Sequence, residues 1–104
     1  MIEKRNGLLS GKDRRILRAI AHGRKPLIRV GEAGISDAVV SALEAALKDH
    51  ELVKVKLQQP SNKKQAAQIL AERTHAHLCG VVGHTVILFR PDPEKPRIVL
   101  PGSD

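Results

Sequence analysis

The chain has no tryptophan and no tyrosine, and only one phenylalanine, one cysteine and one methionine. With so few aromatic rings it offers no platform on which splayed bases could stack, so base readout in the manner of RRM or OB-fold proteins is not expected. The same lack argues against a cofactor pocket with aromatic walls. The lone cysteine, Cys79, allows no intrachain disulfide, which fits a reducing compartment. No apolar run reaches the roughly 18 residues that a membrane-spanning helix needs. The charged opening MIEKRNGLLSGKDRR leads into no long apolar stretch, so it does not read as a secretory signal. Together these absences lead us to expect a cytoplasmic protein.

What the chain does contain is aliphatic. Its 104 residues are 41% hydrophobic, enough for one core built from Val, Leu, Ile and Ala. The formal net charge is +7, and all of it lies at one end. Residues 1–29 hold nine Lys and Arg against Glu3 and Asp13, whereas residues 30–104 hold nine basic and nine acidic side chains. A polyanion is the expected partner of such a charge distribution.

The hydropathy pattern divides the chain into seven elements. Ser10 opens a first helix, with Asp13 placed for a capping box and Gly23 as a stop. Ile16, Leu17 and Ile20 mark its apolar side, and Arg14, Arg15 and Arg18 gather on the opposite face, towards solvent. Residues 27–30 form a short strand, followed by the loop Gly31-Glu32-Ala33-Gly34. Ser36 caps a second helix to about His50, with an apolar stripe of Val39, Leu43, Ala46 and Leu47. Residues 52–57 alternate with period two, placing Val53, Val55 and Leu57 inward and Lys54 and Lys56 on the other face. After the breaker Pro60-Ser61-Asn62, where Ser61 can cap, a third helix runs from about Asn62 to Thr74. Its apolar side is expected to include Ala66, Ala67, Ile69, Leu70 and Ala71. Strands at about 77–82 and 85–90 flank Gly83-His84, which suits a type II′ hairpin. The order αβαβαββ predicts a four-stranded mixed sheet with helices packed on it, a compact α/β sandwich with right-handed crossovers. The domain is expected to span residues 1–91, with a core at about 8–91. Residues 92–104 form a Pro-rich tail that is expected to be extended, with Ile98, Val99 and Leu100 either docking on the domain or fraying.

The loop is the strongest candidate for function. Two glycines let a backbone turn sharply and come close to another backbone. The helix that follows offers unpaired N–H groups and a positive dipole end to a phosphate. Arg24, Lys25 and Arg29 stand just upstream, within reach of neighbouring phosphates. A GxxG loop clamps the nucleic-acid backbone in KH domains, although the same four residues also make a plain strand-to-helix turn. Lys63 and Lys64 open the third helix at a positive dipole end, which is locally unfavourable; this mildly suggests that they serve a partner, with simple solvation the equal alternative.

Three segments taken in order, LSGKDRRILRAIAHGRKPLIRVGEAGIS, VVSALEAALKDHELVKVKL and GVVGHTVILFRP, resemble the CRM domain family, the YhbY-like RNA-binding proteins. The resemblance covers about residues 8–91. It implies a fold like the C-terminal domain of translation initiation factor three. It also implies RNA binding through Gly31, Glu32, Ala33 and Gly34 together with the adjacent basic surface. Single-domain bacterial members are associated with precursors of the large ribosomal subunit, so the implied partner is ribosomal RNA and the implied role is subunit assembly. Family loops often carry a Lys or another neutral or basic residue where this chain has Glu32. A carboxylate there shifts the expected contact towards Arg14, Arg15, Arg18, Arg24, Lys25 and Arg29.

Other chemistries find little support. His75, His77 and Cys79 fall at alternate positions but lack a second ligand pair, so no metal is expected. There is no GxGxxG, no GxxxxGK[ST] and no GxSxG. Asp49 and Glu51 flank a turn and read as solvent-facing, and His50 reads as a C-terminal helix cap. We expect no enzyme, no cofactor and no membrane contact, with a monomer favoured. The rival readings are an Alba-like general nucleic-acid binder, which would grip duplex DNA as a dimer, and a protein–protein adaptor on the ribosome.

Overall fold

The computed structural model describes residues 9–58 and 62–101. The element order is the expected one: α1 Gly11–His22, β1 Ile28–Val30, α2 Asp37–His50, β2 Leu52–Leu57, α3 Lys63–Thr74, β3 His77–Val82 and β4 Thr85–Phe89. Each helix starts on a side-chain cap that uses one of its orphan donors. Ser10 Oγ accepts from the Asp13 N–H at 3.0 Å while the Asp13 carboxylate accepts from the Ser10 N–H at 3.3 Å, a complete capping box. Ser36 Oγ accepts from the Val39 N–H at 3.2 Å. Asn62 Oδ1 accepts from the Gln65 N–H at 3.0 Å, so Asn62 caps α3; Ser61 lies outside the described residues.

The strands lie in the order β1-β2-β4-β3. β1 is parallel to β2, and both pairs made by β4 are antiparallel. In the hairpin, Gly83 has φ +60 and His84 does not have a positive φ, as a type II′ turn requires.

Period-two alternation sends side chains to two separate cores. Val53, Val55 and Leu57 of β2 and Val86 and Leu88 of β4 pack against Leu43 and Leu47 of α2 and Ala67 and Leu70 of α3. On the other face Leu52, Ile87, Phe89 and Cys79 pack against Leu17 and Ala21 of α1, together with Leu9 and Leu100. Ile69 departs from expectation, being 36% exposed. Helix α3 meets the sheet along Ala67, Leu70, Ala71 and Thr74, the i, i+3, i+4, i+7 line, and Ile69 falls outside that stripe.

The largest departure is Glu51, which is fully buried rather than facing solvent. It is the one residue between α2 and β2, and the reversal there forces it to φ +64, ψ −46. Its carboxylate accepts the backbone N–H groups of Arg97 and Ile98 on Oε1, at 2.8 and 2.9 Å, and that of Asp92 on Oε2 at 2.6 Å. Its own N–H donates to the Leu47 carbonyl and its carbonyl accepts from the Arg90 N–H, both at 2.8 Å. The C-terminal segment is therefore not an extended tail up to Leu100. Asp92 Oδ1 accepts from the Glu94 and Lys95 N–H groups and turns the chain. These two bonds hold the Asp92 carboxyl below its ordinary value. The returning strap places Ile98 and Leu100 on the α1-side core.

Replacing Glu51 with Gln swaps an acceptor oxygen for an NH2 that faces a donor. We expect Glu51→Gln to lose about 2–3 kcal/mol in urea unfolding, the scale of hydrogen bonds to a buried charge. The Asp92, Arg97 and Ile98 amides should lose exchange protection ahead of the sheet amides. Unchanged protection of those amides would show that the carboxylate does not hold the strap.

Candidate nucleic-acid interface

The Gly31–Gly34 loop is a tight turn closed by the Gly34 N–H donating to the Gly31 carbonyl at 3.0 Å. Glu32 and Ala33 form its exposed tip. The two glycines are there for different reasons. Gly34 has φ +81, a conformation that side chains disfavour. Gly31 has no such φ, and a Cβ there would meet nothing closer than Gln58 Oε1 at 3.8 Å. The fold thus needs glycine at Gly34 but tolerates a side chain at Gly31. The missing Cβ at Gly31 leaves the backbone open on its solvent side. Helix α2 begins just beyond, and its first-turn Asp37 pairs with Arg73 at 2.8 Å.

Beside the loop the sheet has an open face. Helix α1 covers the part of its face near Leu52, Ile87 and Cys79. Beyond it, Arg29, Lys56, Thr85 and Val82 stand in register across all four strands. Arg29 and Lys56 are exposed, and Val82 is 61% exposed. The residue behind Lys56 on the same face, Lys54, directs its ammonium to the Arg24 carbonyl at 2.9 Å. Arg29 was expected in this surface, whereas Lys54 and Lys56 were read only as the outer face of a strand. The alternation that placed them there was the available signal, but it did not say which part of that face α1 would cover.

The arginines of α1 correct the expectation of three solvent-facing cations. Only Arg15 is exposed. Arg14 donates from Nη1 to the Leu9 carbonyl at 2.6 Å and from Nε to the Leu78 carbonyl at 3.3 Å. Arg18 Nη1 donates to the Cys79 carbonyl at 2.7 Å. β3 carries a bulge between Leu78 and Gly80, which withdraws backbone groups from the ladder, and the two guanidinium groups serve carbonyls at that point. Gly80 makes the crossing possible, since a Cβ there would sit 2.7 Å from Arg18 Cδ. Arg24 also spends one N–H on the fold, donating from Nη1 to the Leu52 carbonyl at 3.1 Å, while remaining exposed. Lys25, Lys63 and Lys64 are exposed. Because α3 leaves from the end of β2 that pairs with Val30, Lys63 and Lys64 start at the same end of the sheet as the loop.

The His–His–Cys series does not assemble. His75 ends α3 in the left-handed region, exposed, with φ 56. His77 stacks on Phe89 with ring centroids 6.5 Å apart. Burial, and then the charge of Arg14, hold its imidazole below the ordinary value. Cys79 is buried, and burial pushes its thiol up to about 12 although Arg14 and Arg18 oppose the rise. Among the described residues no group of three potential ligands could hold a metal. Nor is any helix among them long and apolar enough to cross a membrane.

A family model, the CRS1 / YhbY (CRM) domain, matches residues 9–90. The chain belongs to the CRM domain family. Relatives include the probable RNA-binding protein YqeI of Bacillus subtilis, 32% identical over 90% of this chain and 100% of its own length. A probable RNA-binding protein of Methanocaldococcus jannaschii is 38% identical over 88% of this chain and 70% of its own length. An RNA-binding protein of Haemophilus influenzae is 33% identical over 89% of this chain and 95% of its own. The solution structure of a hypothetical Staphylococcus aureus protein, an RNA-binding candidate, superposes with a TM-score of 0.80 at 33% identity, covering 90% of this chain and 100% of that one. The likeness of this CRM chain to them thus extends well beyond the loop.

Two outcomes separate cohesion from ligand binding among these residues. Gly80→Ala should cost about 1–3 kcal/mol by overpacking against Arg18. Much of that cost should vanish in an Arg18→Ala background, a coupling that a double-mutant cycle in urea measures, whereas Arg15→Ala should stay within about 0.5 kcal/mol of the parent. Cys79 should resist iodoacetamide at pH 8 in the folded protein and react once urea unfolds it, because the thiolate is the reactive form; rapid labelling of the native chain would contradict its burial.

Proposed function

We propose that this CRM chain binds structured ribosomal RNA and serves large-subunit assembly by holding a precursor RNA in shape. The observation that carries the reading is Gly31: the fold leaves its solvent side open, next to exposed Arg29 and Lys56 and at the start of a capped helix. A sugar–phosphate backbone needs that close approach. The relatives' names point to RNA, and the resemblance noted from sequence points to the large subunit. Contacts go mainly to phosphate and ribose, since the one Phe, Phe89, is buried and there is no Trp or Tyr to form a stacking platform. The loop is assigned Gly31, Glu32, Ala33 and Gly34, supported by Arg15, Arg24, Lys25, Arg29 and Lys56, with Lys63 and Lys64 at its flank. Glu32 at the tip repels phosphate, so the surrounding cations supply most of the attraction. Arg14 and Arg18 contribute chiefly by holding α1 on β3. The protein works as a monomer without a cofactor and performs no reaction.

The test is filter binding of transcribed large-subunit ribosomal RNA against salt, with duplex DNA as competitor. Log affinity should fall linearly with log salt by about 0.7–0.9 per phosphate contacted. Gly31→Ala should fold normally and weaken RNA binding by roughly an order of magnitude, the scale of one lost close contact. Equal affinity for duplex DNA would favour the general nucleic-acid binder. Ribosomal association that survives nuclease would favour the protein adaptor.

A further inference from the structure

At the other end of β1 from the loop, a cleft of about 370 Å³ opens between the α1–β1 turn, the last turn of α2, the start of β2 and the C-terminal strap. Its size is at the lower end of ligand sites, about 300–1,000 Å³, room for a nucleotide unit and not for a helix. Four cations line it, Arg24, Lys25, Lys54 and Arg97, against one acid, Asp49. Leu27, Leu52 and Ile98 supply apolar lining, and Leu27 is 54% exposed. The ion pairs among the described residues are Arg73–Asp37 and Arg97–Asp92, the second only at 4.0 Å. Arg24, Lys25 and Lys54 therefore stand without a carboxylate partner among those residues.

We propose that this cleft is a second phosphate-binding site for the same RNA, completed by Arg97 of the C-terminal strap. The proposal rests on the RNA-binding reading and extends it. Lys54 and Lys56 are two residues apart on one strand face, about 6.6 Å, a step comparable to that between successive phosphates of a strand. The cations thus form one track, from the Gly31–Gly34 loop past Arg29 and Lys56 to Lys54 and into the cleft. Cationic rim and apolar floor together suit a phosphate with its ribose and base laid inward. Arg97 reaches this place because its own N–H is held by Glu51 at 2.8 Å. Asp49 and the carbonyl end of α2 oppose an anion locally, and Arg97 Nη1 donates weakly to the Lys48 carbonyl there at 3.4 Å, so an anion at that wall competes with this carbonyl for the strap's cation.

The experiment compares Arg97→Glu with Lys95→Glu, the same charge change on a strap residue outside the cleft. Both are assayed against large-subunit ribosomal RNA over a salt series, alongside the parent chain and Gly31→Ala. Arg97→Glu should weaken binding several-fold and lower the salt slope by about one, and Lys95→Glu should change affinity by less than about twofold. Arg97→Gln should fall between the parent and Arg97→Glu, and the Ile98 amide should keep its exchange protection in both Arg97 variants. If Arg97→Glu behaves like Lys95→Glu while Gly31→Ala loses affinity, the cleft is not on the RNA path, yet the RNA-binding reading stands. If the parent chain shows no salt-dependent RNA binding, both fail. Inorganic phosphate shifting the cleft amides while Arg97→Glu leaves RNA affinity intact would make it a small-anion site and overturn the proposal.

Discussion

Much of this structure hangs on one buried carboxylate. Helix α2 ends at His50 and β2 begins at Leu52, so a single residue must turn the chain back onto the sheet. Glu51 does so at a positive φ that costs of order 1–3 kcal/mol in a non-glycine residue. Burying its carboxylate with no ion-pair partner among the described residues adds several kcal/mol more. Both costs persist because every polar group of the residue is used: N–H, carbonyl and both carboxylate oxygens all have backbone partners. Those partners belong to α2, the end of β4 and the C-terminal strap. One side chain therefore fixes how the strap lies over Leu52 and Phe89, and so closes the smaller of the two cores.

The net charge of +7 conceals a division of labour among the cations. Arg14 and Arg18 turn inward to carbonyls around a β-bulge, and Arg90 reaches the Thr74 carbonyl at the end of α3 at 2.9 Å. These guanidinium groups act as multi-donor braces where strands and helices leave backbone oxygens unpaired. The cations left for a polyanion are those on rigid strands and at loop ends, Arg29 and Lys56 among them. Counting basic residues overstates the binding surface, since several are already engaged in holding the fold.

Much of this was legible in the sequence. Alternation in residues 52–57, the caps at Ser10 and Ser36, and the Gly83 turn each rest on local rules, and each placed its element correctly. The loop was legible too, because Gly34 stands where a strand must turn into a helix. What could not be read was contact at long range. A helical wheel puts Arg14, Arg15 and Arg18 together, but only the position of β3 decides that two of them fold inward. Nothing local to Gly80 marks its role, because the Arg18 side chain that crosses it comes from α1. Glu51 looked solvent-facing because an acid at a turn usually is, and its partners lie more than forty residues on. Arg97 carries no local signal for the same reason: a segment bearing four prolines among residues 91–101 reads as extended, and docking of Ile98, Val99 and Leu100 is only one of two options until its anchor is known.

The same anchor bears on how selectively a surface of this kind can work. Phosphate contacts position a nucleic acid without reading its bases, so selectivity must come from whether a folded RNA can present its backbone to several fixed points at once. Fixed points require that the cations not wander. Arg29, Lys54 and Lys56 are held by strand pairing, and the backbone at Arg97 is held by the Glu51 carboxylate. Long side chains on a frayed tail would attract any polyanion at a greater entropic cost per contact. A rigid track attracts less indiscriminately, because a mismatched backbone leaves some cations unmet. On the proposed reading, the fixed cation at the strap traces back to a buried acid that stands outside the cationic surface.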